Sequence, residues 1–206
     1  MAENLSIEAP DFDRIRKGDA PATEDAVRLL WYVLNNEIKL RRIGQRALQA
    51  SIGKMLFNHF ADAGNTTTAE TDLYSDSIPG DTLVSNGSKV IAEYAGIFVN
   101  STSTKKIKAY FAGTAIFDSG ALATAATSYW RLEIIVLRES STIVRCSVSL
   151  IDTGTGTLSA TTYTRITGLT LSVANILKFT GTAAGAGAAT NDIVAKLGTV
   201  RFEAAA

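Results

Sequence analysis

Histidine and cysteine are almost missing from this chain: its 206 residues hold one of each, His59 and Cys146. One cysteine excludes an intrachain disulfide framework, and the two together are too few for a Cys/His zinc site within one chain. One histidine leaves little for imidazole acid–base chemistry. An excess of charge of either sign is also missing, because 20 basic residues balance 20 acidic ones, which removes any whole-chain argument for nucleic acid or an anionic membrane. Long hydrophobic runs are absent too: stretches such as Ile134-Ile135-Val136-Leu137 are far too short to cross a bilayer. The opening Met1-Ala2-Glu3-Asn4 is polar and leads into no basic and then apolar leader, so the chain is expected to be made in the cytoplasm. The Asn-x-Ser/Thr triplets at Asn4, Asn65, Asn86 and Asn100 then read as threonine-rich composition, not as glycan acceptors. These absences favour a scaffold or binder. No catalytic residue, cofactor or metal ligand is expected, nor a nucleic-acid partner or membrane insertion.

What is present is enough apolar material for a core, 46% of residues against 19% charged, which argues against disorder. The language changes near residue 65, giving an expected N-terminal arm and helical anchoring segment over 1–64 and a β-sandwich domain over 65–206. Pro10 and Pro21 interrupt the charged first stretch. Thr23 then offers an N-cap, and apolar residues recur at helical spacing through Leu30, Val33, Leu34, Ile38, Leu48, Ile52, Met55 and Leu56. Leu30, Val33, Leu34, Ile38, Leu48 and Ile52 are the candidate oligomerisation or attachment residues. The apolar phase drifts around Glu37 to Gly44, so packing on the chain's own domain stands beside an inter-subunit bundle.

Beyond Asn65 the period becomes two. Trp130, Leu132, Ile134 and Val136 alternate with Arg131 and Glu133; Val144, Cys146, Val148 and Leu150 alternate with Arg145, Ser147 and Ser149. Similar strands are expected at 88–99, 104–117, 157–167, 169–180 and 193–203, with a short one near 82–85. Turn signals separate them, among them Asn86-Gly87, Asp118-Ser119-Gly120 and Thr167-Gly168. About eight strands without intervening helices imply a mainly β fold, an antiparallel jelly-roll-like β-sandwich preceded by an N-terminal α-helical segment. The small-residue stretch from Gly181 to Thr190 reads as a long loop.

Several motifs carry a chemical reading beside a plain one. Leu150-Ile151-Asp152-Thr153-Gly154-Thr155 resembles the catalytic turn of aspartic proteases, which needs two carboxylates sharing a proton. With one such turn the chain would have to dimerise through Asp152; the plain reading is a turn between strands. Gly185-Ala186-Gly187 precedes a strand-like segment and not a helix, so it is assigned no nucleotide. Lys39, Arg41, Arg42 and Arg46 span more than one helix face and read as a solvated helix end. Lys105, Lys106 and Lys108 read as protection of an edge or hairpin. His59 reads as a residue near a helix end, exposed or stabilised by the helix dipole. Cys146, on the apolar parity of its strand, reads as an inert core thiol. Tyr110, Tyr129 and Tyr163 are candidate surface contacts for a ligand such as a host glycan, whereas Trp130 has core parity.

Ser128-Tyr129-Trp130-Arg131-Leu132-Glu133-Ile134, together with Leu177-Lys178-Phe179-Thr180-Gly181 and Ala189-Thr190-Asn191-Asp192-Ile193-Val194, resembles the C-terminal domains of tailed-bacteriophage virion proteins of the fibre and head-decoration type. The resemblance spans roughly residues 84 to 204. It implies a jelly-roll or similar sandwich, commonly a homotrimer, attached to the virion by a helical N-terminus. Partners implied are the chain itself and other capsid, tail or baseplate proteins. No catalytic residues carry over.

Overall fold

The computed structural model describes residues 34–39, 53–123, 126–153 and 157–205. The chain separates into two compact units, Met1–Ser51 and Ile52–Ala206. In the first, residues 34–39 form a helix, α1, on which Leu34 and Ile38 are exposed; these two sit one turn apart and share a face. Leu30, Val33, Leu48 and Ile52 lie outside the described residues, as do Arg41, Arg42 and Arg46.

The second unit is built of antiparallel strands, twelve among the described residues: β1 Lys54–His59, β2 Ala63–Gly64, β3 Thr71–Ile78, β4 Lys89–Phe98, β5 Thr104–Phe111, β6 Thr114–Asp118, β7 Leu122–Ala123, β8 Ser128–Ser140, β9 Ile143–Asp152, β10 Thr157–Ile166, β11 Asn175–Ala184 and β12 Ile193–Glu203. They form two sheets. The larger is seven-stranded in the order β1-β12-β4-β8-β9-β10, with β2 also on β12; the smaller is five-stranded in the order β3-β11-β5-β6, with β7 also on β5. The chain is thus mainly β, with two antiparallel sheets packed as a sandwich.

Period-two patterning decides which side chains meet between the sheets. Val90, Ala92 and Tyr94 of β4, Leu132, Ile134 and Val136 of β8, and Val144, Cys146 and Val148 of β9 face Ile107, Ala109 and Phe111 of β5 and Leu177 and Phe179 of β11 in one core. Trp130 stands edge-on to Phe179, with ring centroids 5.8 Å apart, and Tyr94 packs on the same ring at 4.5 Å. Burying such a side chain contributes about 1.5–3 kcal/mol. Gly96 makes room for the indole: a Cβ there would lie 2.4 Å from Trp130 Cζ2 and 2.0 Å from the Val194 carbonyl oxygen.

Several sequence expectations are corrected. Residues 54–59, expected as the end of the helix, are β1, whose Met55 pairs with Arg201 and His59 with Gly198. Gly53, at φ +76°, precedes the strand, a backbone state that favours glycine. Apolar residues at 55 to 57 fit both periods, and pairing with β12 decides. The strand expected over 104–117 is a hairpin of β5 and β6, turning at Ala112 and Gly113 with φ of 49° and 79°. Two consecutive positive φ values make the primed turn that hairpins favour, and alanine in the first position hid it. β3 has no counterpart among the expected strands. The strand expected at 169–180 occupies Asn175–Ala184, so it takes in the first residues of the glycine-alanine stretch. Residues 82–85, expected as a short strand, are irregular, bent chain.

Candidate functional site

One polar group, centred on the buried Asp76, joins the edge of one sheet to the edge of the other. His59 on β1 places Nε2 2.9 and 3.0 Å from the two carboxylate oxygens of Asp76 on β3. Asp76 is 3% exposed, and it also accepts a 3.0 Å hydrogen bond from the Tyr94 hydroxyl. The imidazole stacks on Tyr74 at 4.1 Å with 10° between the planes, and the Tyr74 hydroxyl donates to the Ala61 carbonyl. Burial, then the Asp76 charge and its hydrogen bond, push the Tyr94 hydroxyl well above its ordinary pKa, so it remains a donor. Gly198 lets the group close, since a Cβ there would meet Tyr94 at 2.4 Å and His59 at 3.3 Å. The placement of His59 near a helix end is therefore corrected: it is a half-buried strand residue with a carboxylate partner.

A second cluster lies where the loop after β4 meets the loop before β12. Lys105 is fully buried, which corrects its reading as an edge-protecting lysine; only Lys106 and Lys108 point outward. Its Nζ donates to Ser101 Oγ at 2.8 Å and to the carbonyls of Ser101 and Ser103. Burial pulls its pKa down while the Asp192 charge pulls it up. Ser101 and Ser103 share a hydroxyl contact of 2.8 Å, and Ser103 Oγ donates to Asp192 Oδ2 at 2.7 Å. Because the Ser103 proton is committed to Asp192, the Ser101 proton goes to Ser103, and Lys105 is left as donor to Ser101. The row is an ion pair carried through two hydroxyls.

Asn65 fastens the same region. It is fully buried, donates to the carbonyls of Thr67 and Ala189, and accepts from the Ile193 amide. On the opposite side of the sandwich, the Thr162 and Thr164 hydroxyls of β10 donate to the Ile116 carbonyl of β6 at 2.9 and 3.3 Å. Each of these groups satisfies buried polar atoms and ties distant strands, which is what buried polar networks must do to be tolerated.

The sequence-predicted tyrosines are not brought together. Tyr110 is half-buried, donates to Glu70 at 2.5 Å, and has Lys178 Nζ 5.4 Å from its ring centroid. Tyr129 and Tyr163 are exposed on β8 and β10. Asp152 is 1% exposed at the end of β9, enclosed within its own chain rather than presented to a second one. Cys146 is buried, and burial pushes its thiol up to about 12. Among the described residues no group of three or more His, Cys, Asp or Glu side chains is placed to hold a metal ion, and no helix is long and apolar enough to cross a membrane.

Sequence reasoning missed Asp76, Lys105 and Asp192. Parity offered a signal for two of them: Asp76 shares its side of β3 with Tyr74 and Ile78, and Lys105 shares its side of β5 with Ile107 and Ala109. A charged residue at core parity asks for a buried partner.

Comparison with known proteins adds a distant likeness. No family model matches the chain, and no curated protein matches it. Among solved structures it is similar to that of the Gx strain of infectious bursal disease virus, at 12% identity and a TM-score of 0.30, over 73% of this chain and 31% of that one. The chain thus spans about a third of the length of that structural neighbour.

Proposed function

We propose that this chain is a non-enzymatic structural component of a phage virion, a fibre, decoration or adaptor protein, with the sandwich as its projecting module and the helical N-terminus as its attachment. The observation that carries this reading is the strand order. Leaving aside the two-residue β2 and β7 and the β9–β10 hairpin, the remaining eight strands run 1-8-3-6 in one sheet and 2-7-4-5 in the other. That is the order of a jelly roll, an architecture that recurs in shell and lectin domains, here with one hairpin added to the larger sheet. The sequence resemblance of residues 128–134 and 177–194 to virion proteins supports the same reading. So does the use of half-buried His59 and of the buried Asp76, Lys105 and Asp192 as fasteners between strands.

A homotrimer is the assembly this reading expects. Light scattering on the full chain should give three times the 21.8 kDa chain mass, and electron microscopy of virions exposed to antibody against the sandwich should show surface labelling. A stable monomer that labels no virion would overturn the proposal. A second reading, a receptor-binding module for host glycan, is favoured by the exposure of Tyr129 and Tyr163, because exposed aromatic faces stack on sugar rings. A glycan array without signal above background removes it.

A further inference from the structure

The two outer faces of the sandwich differ in kind. On the five-stranded sheet the outward side chains include three ion pairs, Lys178 with Asp72, Lys108 with Glu70 and Lys106 with Asp118, beside one exposed apolar residue, Ile176. On the seven-stranded sheet one cross-strand row runs from edge to edge as Met55, Arg201, Ile91, Ile135, Ser147 and Tyr163, each directly opposite the next. Its residues alternate with core residues such as Val90, Ala92, Ile134 and Val136, so the row points outward. Ile135, Leu137 and Tyr163, with Arg145 and Arg165, are among the residues that line a groove of about 410 Å³. Tyr163 is 83% exposed, Tyr129 66% and Leu197 51%, and all three belong to this face. Within the row Ile91 is only 6% exposed, so the apolar side chains this face offers to solvent include Met55, Tyr163, Tyr129 and Leu197; exposed apolar side chains gathered on one face and rimmed by charge mark a contact surface.

We infer that this face is where a neighbouring copy of the chain packs within the homotrimer; the inference rests on the structural, self-assembling reading above. Charge selects the occupant. Charges in the row and beside it carry both signs: Arg201 within it and Lys89 and Arg131 beside it are interleaved with Glu93 and Glu203 in one ion-pair network, and Arg145 and Arg165 flank Glu139. Such a face repels neither itself nor a neutral chain, whereas a polyanion needs an excess of cations. Glu133 lies directly opposite Glu93 on the neighbouring strand, an unfavourable like-charge pairing, and has no ion pair among the described residues. The exposed cations of the face, Arg145 at 64% and Arg165 at 48%, already pair with Glu139 in their own chain, and Glu133 of a neighbouring copy would share them with it. Area agrees: at ordinary strand spacing and rise the face measures roughly 24 by 30 Å, near the ~800 Å² per partner of a standard interface.

The test uses the full chain. Wild-type protein should scatter light as an oligomer, and Ile135→Asp should bring it to the mass of one chain with an unchanged thermal melt. In a second arm, Tyr163→Cys should yield a disulfide-linked dimer on mild oxidation, whereas Lys106→Cys on the other sheet should not; the native Cys146 is buried and does not take part. If Ile135→Asp proves unstable, the cysteine arm decides alone. An oligomer that survives Ile135→Asp, or equal cross-linking at both positions, overturns this face while leaving a virion role standing. A monomeric wild-type chain overturns both the face and self-assembly in solution.

Discussion

His59 and Asp76 bind the first strand of one sheet to the first strand of the other, through an imidazole nitrogen 2.9 Å from a carboxylate that is otherwise out of water. β1 and β3 are both edge strands, so this contact closes one open side of the sandwich. The Thr162 and Thr164 bonds to Ile116 close the other. Replacing His59 by alanine leaves Asp76 with Tyr94 as its remaining side-chain donor. A loss of about 1–3 kcal/mol is expected, measured as a lower midpoint in urea denaturation. An unchanged midpoint would show that the contact fastens nothing.

The Lys105–Ser101–Ser103–Asp192 row predicts non-additivity. Lys105→Met should destabilise by about 3–5 kcal/mol, since it leaves the Asp192 charge buried without its cation. Adding Asp192→Asn to that variant should recover part of the loss, because neither charge then remains. A double-mutant cycle by chemical denaturation reads the coupling; strictly additive losses would mean that the two ends do not sense each other.

Gly96→Ala forces a methyl group into the Val194 carbonyl and the Trp130 ring. Neither neighbour can give way without disturbing the β4–β12 ladder or the core, so an overpacking cost of about 1–3 kcal/mol is expected. Gly168→Ala, where nothing lies within 4 Å but φ is +75°, carries only the backbone penalty of about 1 kcal/mol. Thermal melts of the two variants should fall in that order.

Cys146 makes a clean unfolding probe. With its thiol pushed up to about 12 by burial, it should resist a disulfide reagent at about pH 8, where an ordinary thiol already carries some thiolate. In strong denaturant one equivalent should react. Rapid labelling of the native chain would contradict the packing of β9.

Glu70 links stability to acid. Burial alone would raise its pKa, but hydrogen bonds from Tyr110, Lys108 and Thr180, with the Lys108 charge, outweigh burial and hold it at about 2. Its unfolded value is near 4.3, so the depressed folded value contributes stability that is fully present above about 4.3. That contribution is lost as pH falls through about 2. Glu139, held at about 2 by Arg165 and then Arg145, acts in the same direction. Glu70→Gln should therefore flatten the fall in melting temperature between those limits. An identical acid profile in wild type and variant would rule the contribution out.

The amino-acid sequence by itself determined the class of fold and most of its strands. Alternation in Trp130–Val136 and Val144–Leu150 puts one side of each strand in the core whatever the neighbours are, because the side-chain period of a strand is two. The same alternation gave Trp130 and Cys146 to the interior. Local patterning stopped where two periods fit equally well: Met55 and Leu56 satisfy a helix or a strand, and the free edge of β12 decided for a strand. It stopped also at Ala112, where tertiary context imposed a left-handed turn on a residue that does not announce one. The polar fasteners depended on tertiary structure entirely. His59 and Asp76 are 17 residues apart, and Ser103 and Asp192 are 89 apart. Nothing local pairs such residues; they meet because burial of a polar atom demands a partner, and only the packed sheets bring one within reach.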